Sequence, residues 1–488
     1  MEKNSIDETA KAGFLLGWVL WQPAREKIQK TVLENEHCKI VELKGKELLY
    51  CIKLPELSIQ EQELLSEAFE EFKLLSNPEF EELKNLEFFF KEYCDRNLVQ
   101  IDLEQEKYLL EILRLSAFGF GPLSRLLENE SIEEIAITGL GKEKPVRIFD
   151  KKLGWVKTNF SYANQSTVKN AVNKMARKLG KRLSMQNPRL NAMLPDGSRL
   201  SCSIEPVSFL GPNVTIRKFG KTPFSPLDLA ANKTASAEAL AFLQIAFQTD
   251  SSVLIAGNTG SGKTSLLNAL FCFVPENERI IAVEETPELK IMHEHLIKLN
   301  VSEGLNVGMK DLIIDSLRMR PDRIIVGEVR NSEEVLAFVD TMLAGQGKGS
   351  YCTFHAQSTR EAITRLKKLG VLEIDLLALD LIVVQRRWTS MLESSRVEKR
   401  RITEIAEVLE NEGKAALNVL FEFDFSKDRL ERKNKSQRIL DKFLKTAGRP
   451  GEEWLFFKAL SERTQAIERL SKKGLGFEEF FKALNRQA

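Results

Sequence analysis

The stretch "GNTGSGKT", Gly257 to Thr264, follows directly on the apolar run "SSVLIA" and leads into "SLLNALFCF". A strand that breaks into a glycine loop and re-emerges as a helix is the setting in which GxxxxGK[ST] holds phosphate. The glycines let successive backbone N–H groups curl around an anion, and the helix N-terminus adds its partial positive charge. The expected nucleotide-binding set is therefore Gly257, Asn258, Thr259, Gly260, Ser261, Gly262, Lys263, Thr264 and Ser265. Lys263 is expected to reach the β- and γ-phosphates of ATP, and Thr264 to offer its hydroxyl to Mg2+. The neighbouring sequence supplies the sheet such a loop requires: "RIIAVEE", "RIIVGEV", "SYCTFHA" and "LIVVQRR" are short β-branched runs separated by helical stretches. That alternation predicts an α/β domain built on a largely parallel sheet covered on both faces.

Ligands of such sheets bind beyond the carboxyl ends of the strands, so strand-end residues are the next candidates. "IIAVEE" ends on Glu284 and Glu285, which either orient a nucleophile and a metal-bound water or belong to a solvated turn marked by Pro287. In "RPDRIIVGEVR" the strand ends not on aspartate but on Gly327 and Glu328. Glu328 is expected to contact Mg2+ through water and to act as general base, with Arg330 as an ion-pair partner that does not exclude that role. Gly327 is expected to allow close approach to the phosphates. His355 ends "SYCTFH", either as a satisfied core histidine or as a sensor of the γ-phosphate. Arg199 in "DGSRL" and Arg217 in "TIRKF" are candidates to stabilise charge on the transferred phosphoryl group. Pairing with local carboxylates is the alternative for both.

A length of 488 residues favours two to four domains. Residues 1–115 read as a helical, acid-rich region in which Ser58 and Glu61 form a capping-box pattern. Residues 116–220 read as an α+β domain, with Ser166 as a helix cap, 221–238 as a linker, 239–412 as the nucleotide-binding domain and 413–488 as a helical C-terminal region. A net charge of +1 provides no global field for nucleic acid. Six cysteines stand singly, with no CxxC pair, as expected of reduced thiols. The uncharged run "AGFLLGWVLWQPA" is short of the roughly 18–20 residues that span a bilayer. It reads as a buried element or, through Phe14–Trp21, as a docking patch.

Taken together, these boxes resemble the secretion-ATPase superfamily: traffic ATPases of type II secretion, type IV pili and archaella, with the type IV secretion ATPases as cousins. The glycine loop at 257–264, the acidic pair at 284–285, "LRMRPDRIIVGEVR" at 317–330 and a histidine box ending at His355 agree in order, and that family's second motif also ends in Gly-Glu. The likeness covers roughly residues 115 to 410. "SIEEIAITG", "LPDGSRL" and "GPNVTIRKF" resemble its archaeal branch, as does the lack of a four-cysteine zinc insertion. The resemblance implies a RecA-like ATPase core behind an α+β, PAS-like domain, in a homo-hexamer with ATP and Mg2+ between subunits. Glu328 would activate water, Glu284 would assist, and Arg199 and Arg217 would reach ATP across the subunit boundary. The partner implied is a polytopic membrane platform protein that builds a pilus-like filament or drives secretion. The chain would be cytoplasmic, peripheral at the inner face of the membrane through that partner alone, with no nucleic acid. Alternatives are a conjugation-type ATPase and a nucleotide-binding scaffold. The sequence departs from the family pattern at Glu285, at Asn331, and at Lys348, where a second histidine is common.

Overall fold

The computed structural model describes residues 16–55, 57–75, 83–218, 223–302, 305–345, 347–390 and 397–485. The chain divides into two compact units, Met1–Gly220 and Lys221–Ala488.

The first unit opens with strands β1 (Trp18–Leu20), β2 (Ile28–Glu34), β3 (Cys38–Leu43) and β4 (Leu48–Ile52). Helices α1 (Ile59–Leu75), α2 (Leu83–Arg96), α3 (Leu103–Ala117) and α4 (Leu123–Glu128) follow. Next come β5 (Ile132–Thr138), β6 (Arg147–Asp150), β7 (Gly154–Thr158), β8 (Phe160–Tyr162) and helix α5 (Gln165–Ala176). The unit ends with β9 (Arg189–Met193), β10 (Arg199–Ser203) and β11 (Asn213–Arg217). One nine-stranded sheet runs β2-β3-β4-β7-β6-β5-β11-β10-β9, and β1 pairs with β8.

Helices α1 to α3 stand where the patterning predicts them, and the Ser58–Glu61 capping box is made: the Ser58 N–H donates to Glu61 at 2.7 Å and the Glu61 N–H to Ser58 Oγ at 3.3 Å. The wholly helical reading of residues 1–115 needs correction, because residues 28–52 are a three-stranded meander. β2 is exposed along nearly its whole length, so no inward-facing apolar set betrays its period of two. Trp18 and Val19 are buried, which favours the buried-element reading of that apolar run; residues 1–15 lie outside the described residues. The cap of α5 is Asn164, not Ser166: its Oδ1 accepts the Thr167 N–H at 2.9 Å.

In the second unit, β12 (Val253–Gly257), β13 (Ile280–Glu284), β14 (Leu296–Asn300), β15 (Arg323–Val326), β16 (Gly349–Phe354) and β17 (Leu381–Ser390) form the parallel part of another nine-stranded sheet. Its order is β14-β13-β15-β16-β12-β17-β18-β19-β20, with β18 (Val397–Asn411), β19 (Lys414–Asp424) and β20 (Arg429–Arg432) added antiparallel. Every residue of β12, β13, β15 and β16 is buried. Alternate side chains of β12 serve opposite faces: Val253 and Ile255 enter one core, Leu254 and Ala256 the other. The α/β expectation therefore holds.

Two details differ. The stretch read as linker contains a helix over Pro226–Ala231, started by a capping box between Ser225 and Asp228. The sheet also does not end at 412. Glu412 and Gly413, at φ +52° and +76°, make the two-residue hairpin turn joining β18 to β19, a geometry whose twist matches the strands it connects. Helices α6 (Arg438–Thr446), α7 (Glu453–Ser471) and α8 (Phe477–Asn485) follow only after β20. All six cysteines are free and buried. No helix among the described residues is long and apolar enough to cross a membrane.

Candidate active site

The phosphate-loop residues turn off the end of β12 with almost no spare room. A Cβ at Gly257 would stand 2.1 Å from the Gln385 carbonyl oxygen on β17 and 2.5 Å from Ser261 Oγ, so only glycine fits. Gly260 and Gly262 take φ of +71° and +97°, the left-handed region that side chains disfavour. A helix then starts at Lys263, leaving its first N–H groups for an anion. Lys263 is buried, with Nζ 3.3 Å from the Gly257 carbonyl oxygen and 3.5 Å from that of Asn258. Asn258 is clamped to β17: its amide donates to the Arg387 carbonyl at 2.9 Å and accepts the Arg387 N–H at 2.9 Å. Thr259 is exposed, and Thr264 and Ser265 are half-buried.

A continuous chain of polar side chains leads away from this loop. Lys263 Nζ lies 3.5 Å from His355 Nδ1, and His355 Nε2 lies 2.6 Å from Glu328 Oε1. Glu328 Oε2 accepts from Arg330 Nε at 2.8 Å and Nη2 at 2.6 Å, and Arg330 also pairs with Glu285. Burial, then the neighbouring Lys263 charge, pushes the His355 imidazole below its ordinary value, against the opposing pull of Glu328. A neutral ring with its proton on Nε2 satisfies both neighbours, donating to the carboxylate and accepting from the lysine. The sheet explains the convergence. Glu328 and His355 lie just past the ends of β15 and β16, which are adjacent, and β16 is adjacent to β12.

Glu284 ends β13 but turns inward. Its Oε1 accepts the Glu288 and Leu289 N–H groups at 2.8 and 2.9 Å, while Oε2 is buried without a partner among the described residues. A Cβ at Gly327 would meet Glu284 Cγ at 3.1 Å, so the glycine of the Gly-Glu pair makes room for this side chain. Burial raises the Glu284 carboxyl from its ordinary 4.5 to about 7. Since the folded value is the higher one, Glu284 favours the fold fully below pH 4.5, and that contribution disappears as pH rises through 7. In metal-free, nucleotide-free protein, Glu284→Gln is expected to melt like wild type near pH 5. By pH 8 it should be more stable by roughly 2–3 kcal/mol. Equal melting of the two proteins at both pH values would refute this assignment.

Arg199 and Arg217 belong to the first unit, where they are direct cross-strand partners on β10 and β11. Glu134 faces Arg217 from β5. Lys348 is explained structurally. It precedes β16, at the edge of the sheet opposite His355, and its Nζ donates to buried Glu278 at 2.9 Å. Sequence reasoning missed Gln385, Arg387 and Arg365. For the first two "LIVVQRR" carried the signal, because its polar residues follow directly on the buried apolar half of β17. Arg365 holds the His355 carbonyl oxygen and stacks over Phe354 at 5.2 Å.

The family model for type II/IV secretion system proteins matches residues 117–437, more than half of the chain. The chain belongs to the type II/IV secretion family. Two uncharacterized proteins of Methanocaldococcus jannaschii are among the relatives of this chain. One is 39% identical over 224 residues, covering 44% of this chain and 31% of its own length. The other is 30% identical over 361 residues, covering 72% and 64%. The chain thus matches only part of either relative. The type IV secretion system protein VirB11 of Bartonella quintana is 30% identical over 298 residues, covering 51% of this chain and 79% of its own.

Mg2+ fits the donor set. Buried polar atoms without a partner among the described residues lie on the loop and beside it, at Ser261 Oγ and Gln385 Oε1, and hard oxygen ligands suit this ion. Thr264 would hold it directly and Glu328 through water; when bound, it neutralises charge on the phosphates.

Proposed function

We propose that this secretion-family protein is an ATPase whose turnover drives assembly of a type IV pilus-like filament or secretion through a polytopic membrane platform protein. The observation that carries the reading is the Lys263–His355–Glu328–Arg330 chain, which holds a carboxylate within two side chains of the phosphate-loop lysine. In it Lys263 binds the transferred phosphate. Glu328 receives a proton from the attacking water, and Arg330 keeps that carboxylate oriented. The neutral His355 ring is the relay through which Glu328 feels whether Lys263 is engaged with phosphate. Glu284 supports this arrangement from below Gly327, and Glu285 steadies Arg330.

The active unit is a homo-hexamer in which Arg199 and Arg217 reach the nucleotide of an adjacent subunit. Such a ring would work in the cytoplasm, at the inner face of the membrane through its partner alone. The similarity to VirB11 supports a second reading, a conjugation-type export ATPase, while the net charge of +1 speaks against a nucleic-acid track.

ATP turnover per subunit, followed over a hundredfold range of protein concentration, tests the ring. The rate per subunit should climb with concentration, and Arg217→Ala should lower its plateau at least tenfold, as loss of a charge-stabilising arginine does. A concentration-independent wild-type rate that Arg217→Ala shares would refute shared sites.

A further inference from the structure

Arg387 is a cation beside the phosphate loop that none of the family boxes includes. It sits on β17, two residues beyond Gln385, which is the register partner of Gly257. Its guanidinium lies against the loop itself. A Cβ at Gly260 would stand 2.5 Å from Arg387 Nη1 and 3.3 Å from Cζ. This placement is built, because the two reciprocal Asn258 hydrogen bonds fix the Arg387 backbone at 2.9 Å each. Among the described residues the side chain has only a loose partner: Arg387 Nε is 3.5 Å from Glu398 Oε2 on β18. Glu398 has a second cation, Arg400 Nη2, 2.9 Å from Oε1. Both Arg387 and Glu398 are partly exposed, and an exposed pair of this kind contributes little. A guanidinium facing a polyphosphate forms shorter, charge-assisted bonds about twice as strong as neutral ones.

We infer that Arg387 is a nucleotide-contact residue: on binding it leaves Glu398, which Arg400 retains, and closes onto the diphosphate held by the loop. This rests on the nucleotide-binding reading above and adds to it a contact residue supplied within the same subunit. It also gives Asn258, the second residue of the loop, a purpose, since Asn258 sets the position of the arginine and need not touch the ligand. Glu398 becomes a competitor whose removal helps the ligand.

The test is ADP binding to the full chain by calorimetry at low and moderate salt. Proteins compared are wild type, Arg387→Ala, Arg387→Lys, Glu398→Gln and Lys263→Ala. Removing Arg387 is expected to weaken ADP binding about tenfold and to flatten its salt dependence, as loss of one charge-assisted phosphate contact does. Lysine should restore part of the affinity. Glu398→Gln should bind about two- to threefold more tightly than wild type, the size of a weak exposed ion pair; this gain is one that misfolding does not mimic. Wild-type binding that Arg387→Ala matches within twofold would overturn the inference while leaving the nucleotide site standing. If wild type and Lys263→Ala alike fail to bind ADP, the nucleotide reading falls and this inference falls with it.

Discussion

Glu328→Gln is expected to lower ATP turnover by about two to four orders of magnitude, the usual worth of a positioned general base, while ATP binding persists. The substitution keeps the shape of the side chain and removes its basicity. Its cost to the fold should be small, because Arg330, the main partner of Glu328, is half exposed, and such pairs contribute at most about 1 kcal/mol. The geometry adds a finer expectation. A glutamine that turns its oxygen toward Arg330 presents its N–H2 to His355 Nε2. That forces the imidazole proton onto Nδ1, where it faces Lys263. The variant should therefore hold ATP more tightly than wild type, because Lys263 loses its neighbour and turns fully to phosphate. Rapid-quench turnover with parallel nucleotide retention on the purified protein checks both parts. Wild-type rates in the variant would remove Glu328 from its assigned role.

The second large effect lies at the other edge of the same sheet. Arg323, the first residue of β15, is fully buried and makes a two-pronged pair with Glu278, at 2.6 Å from Nε and 3.4 Å from Nη2. Its Nη1 hydrogens go to the Lys348 carbonyl at 2.9 Å and the Tyr351 hydroxyl at 2.7 Å. Glu278→Ala leaves that guanidinium without a counter-charge, and breaking a buried pair from one side costs about 3–5 kcal/mol. For a unit of this size that means a fall in melting temperature of roughly 10 °C. The double change Glu278→Leu with Arg323→Met should be far milder, because both desolvation penalties vanish together. Thermal melts of the single and double variants decide this. A single variant that melts with wild type would show that the cluster is hydrated and not dry.

The sequence disclosed most about the parts of the molecule where a single residue type is physically required. The glycines of the phosphate loop, the β-branched runs of β12, β13, β15 and β16, and the Ser58–Glu61 cap are all such places, and each stands where the residues predict. β2 is solvated on both faces, so burial never imprinted a pattern on it. β19 was missed because "NEGK" had to be read as a turn with two left-handed residues. Within the site, strand ends led to Glu328, His355 and Glu285. The inward turn of Glu284 is set by two N–H groups of the following loop, and sequence spacing carries no information about which way a carboxylate bends. Lys348 looks like a degraded histidine box until Glu278, far off in sequence, is placed beside it.

The match to the secretion family stops at residue 437, at a place where the chain is tightly stitched. Glu407, fully buried on β18, accepts from Asn418 Nδ2 and Ser436 Oγ at 2.7 Å each and from the N–H groups of Gln437 and Arg438 at 2.9 and 3.0 Å. Asp380, buried at the start of β17, is held in turn by Arg438 at 3.0 Å and Lys442 at 2.7 Å. A chain cut at the family boundary would leave Asp380 in a dry interior without its two cations, and would take the Arg438 N–H from Glu407. Electrostatics thus draws the border of the second folded unit beyond the last shared motif, and helix α6 lies inside that border.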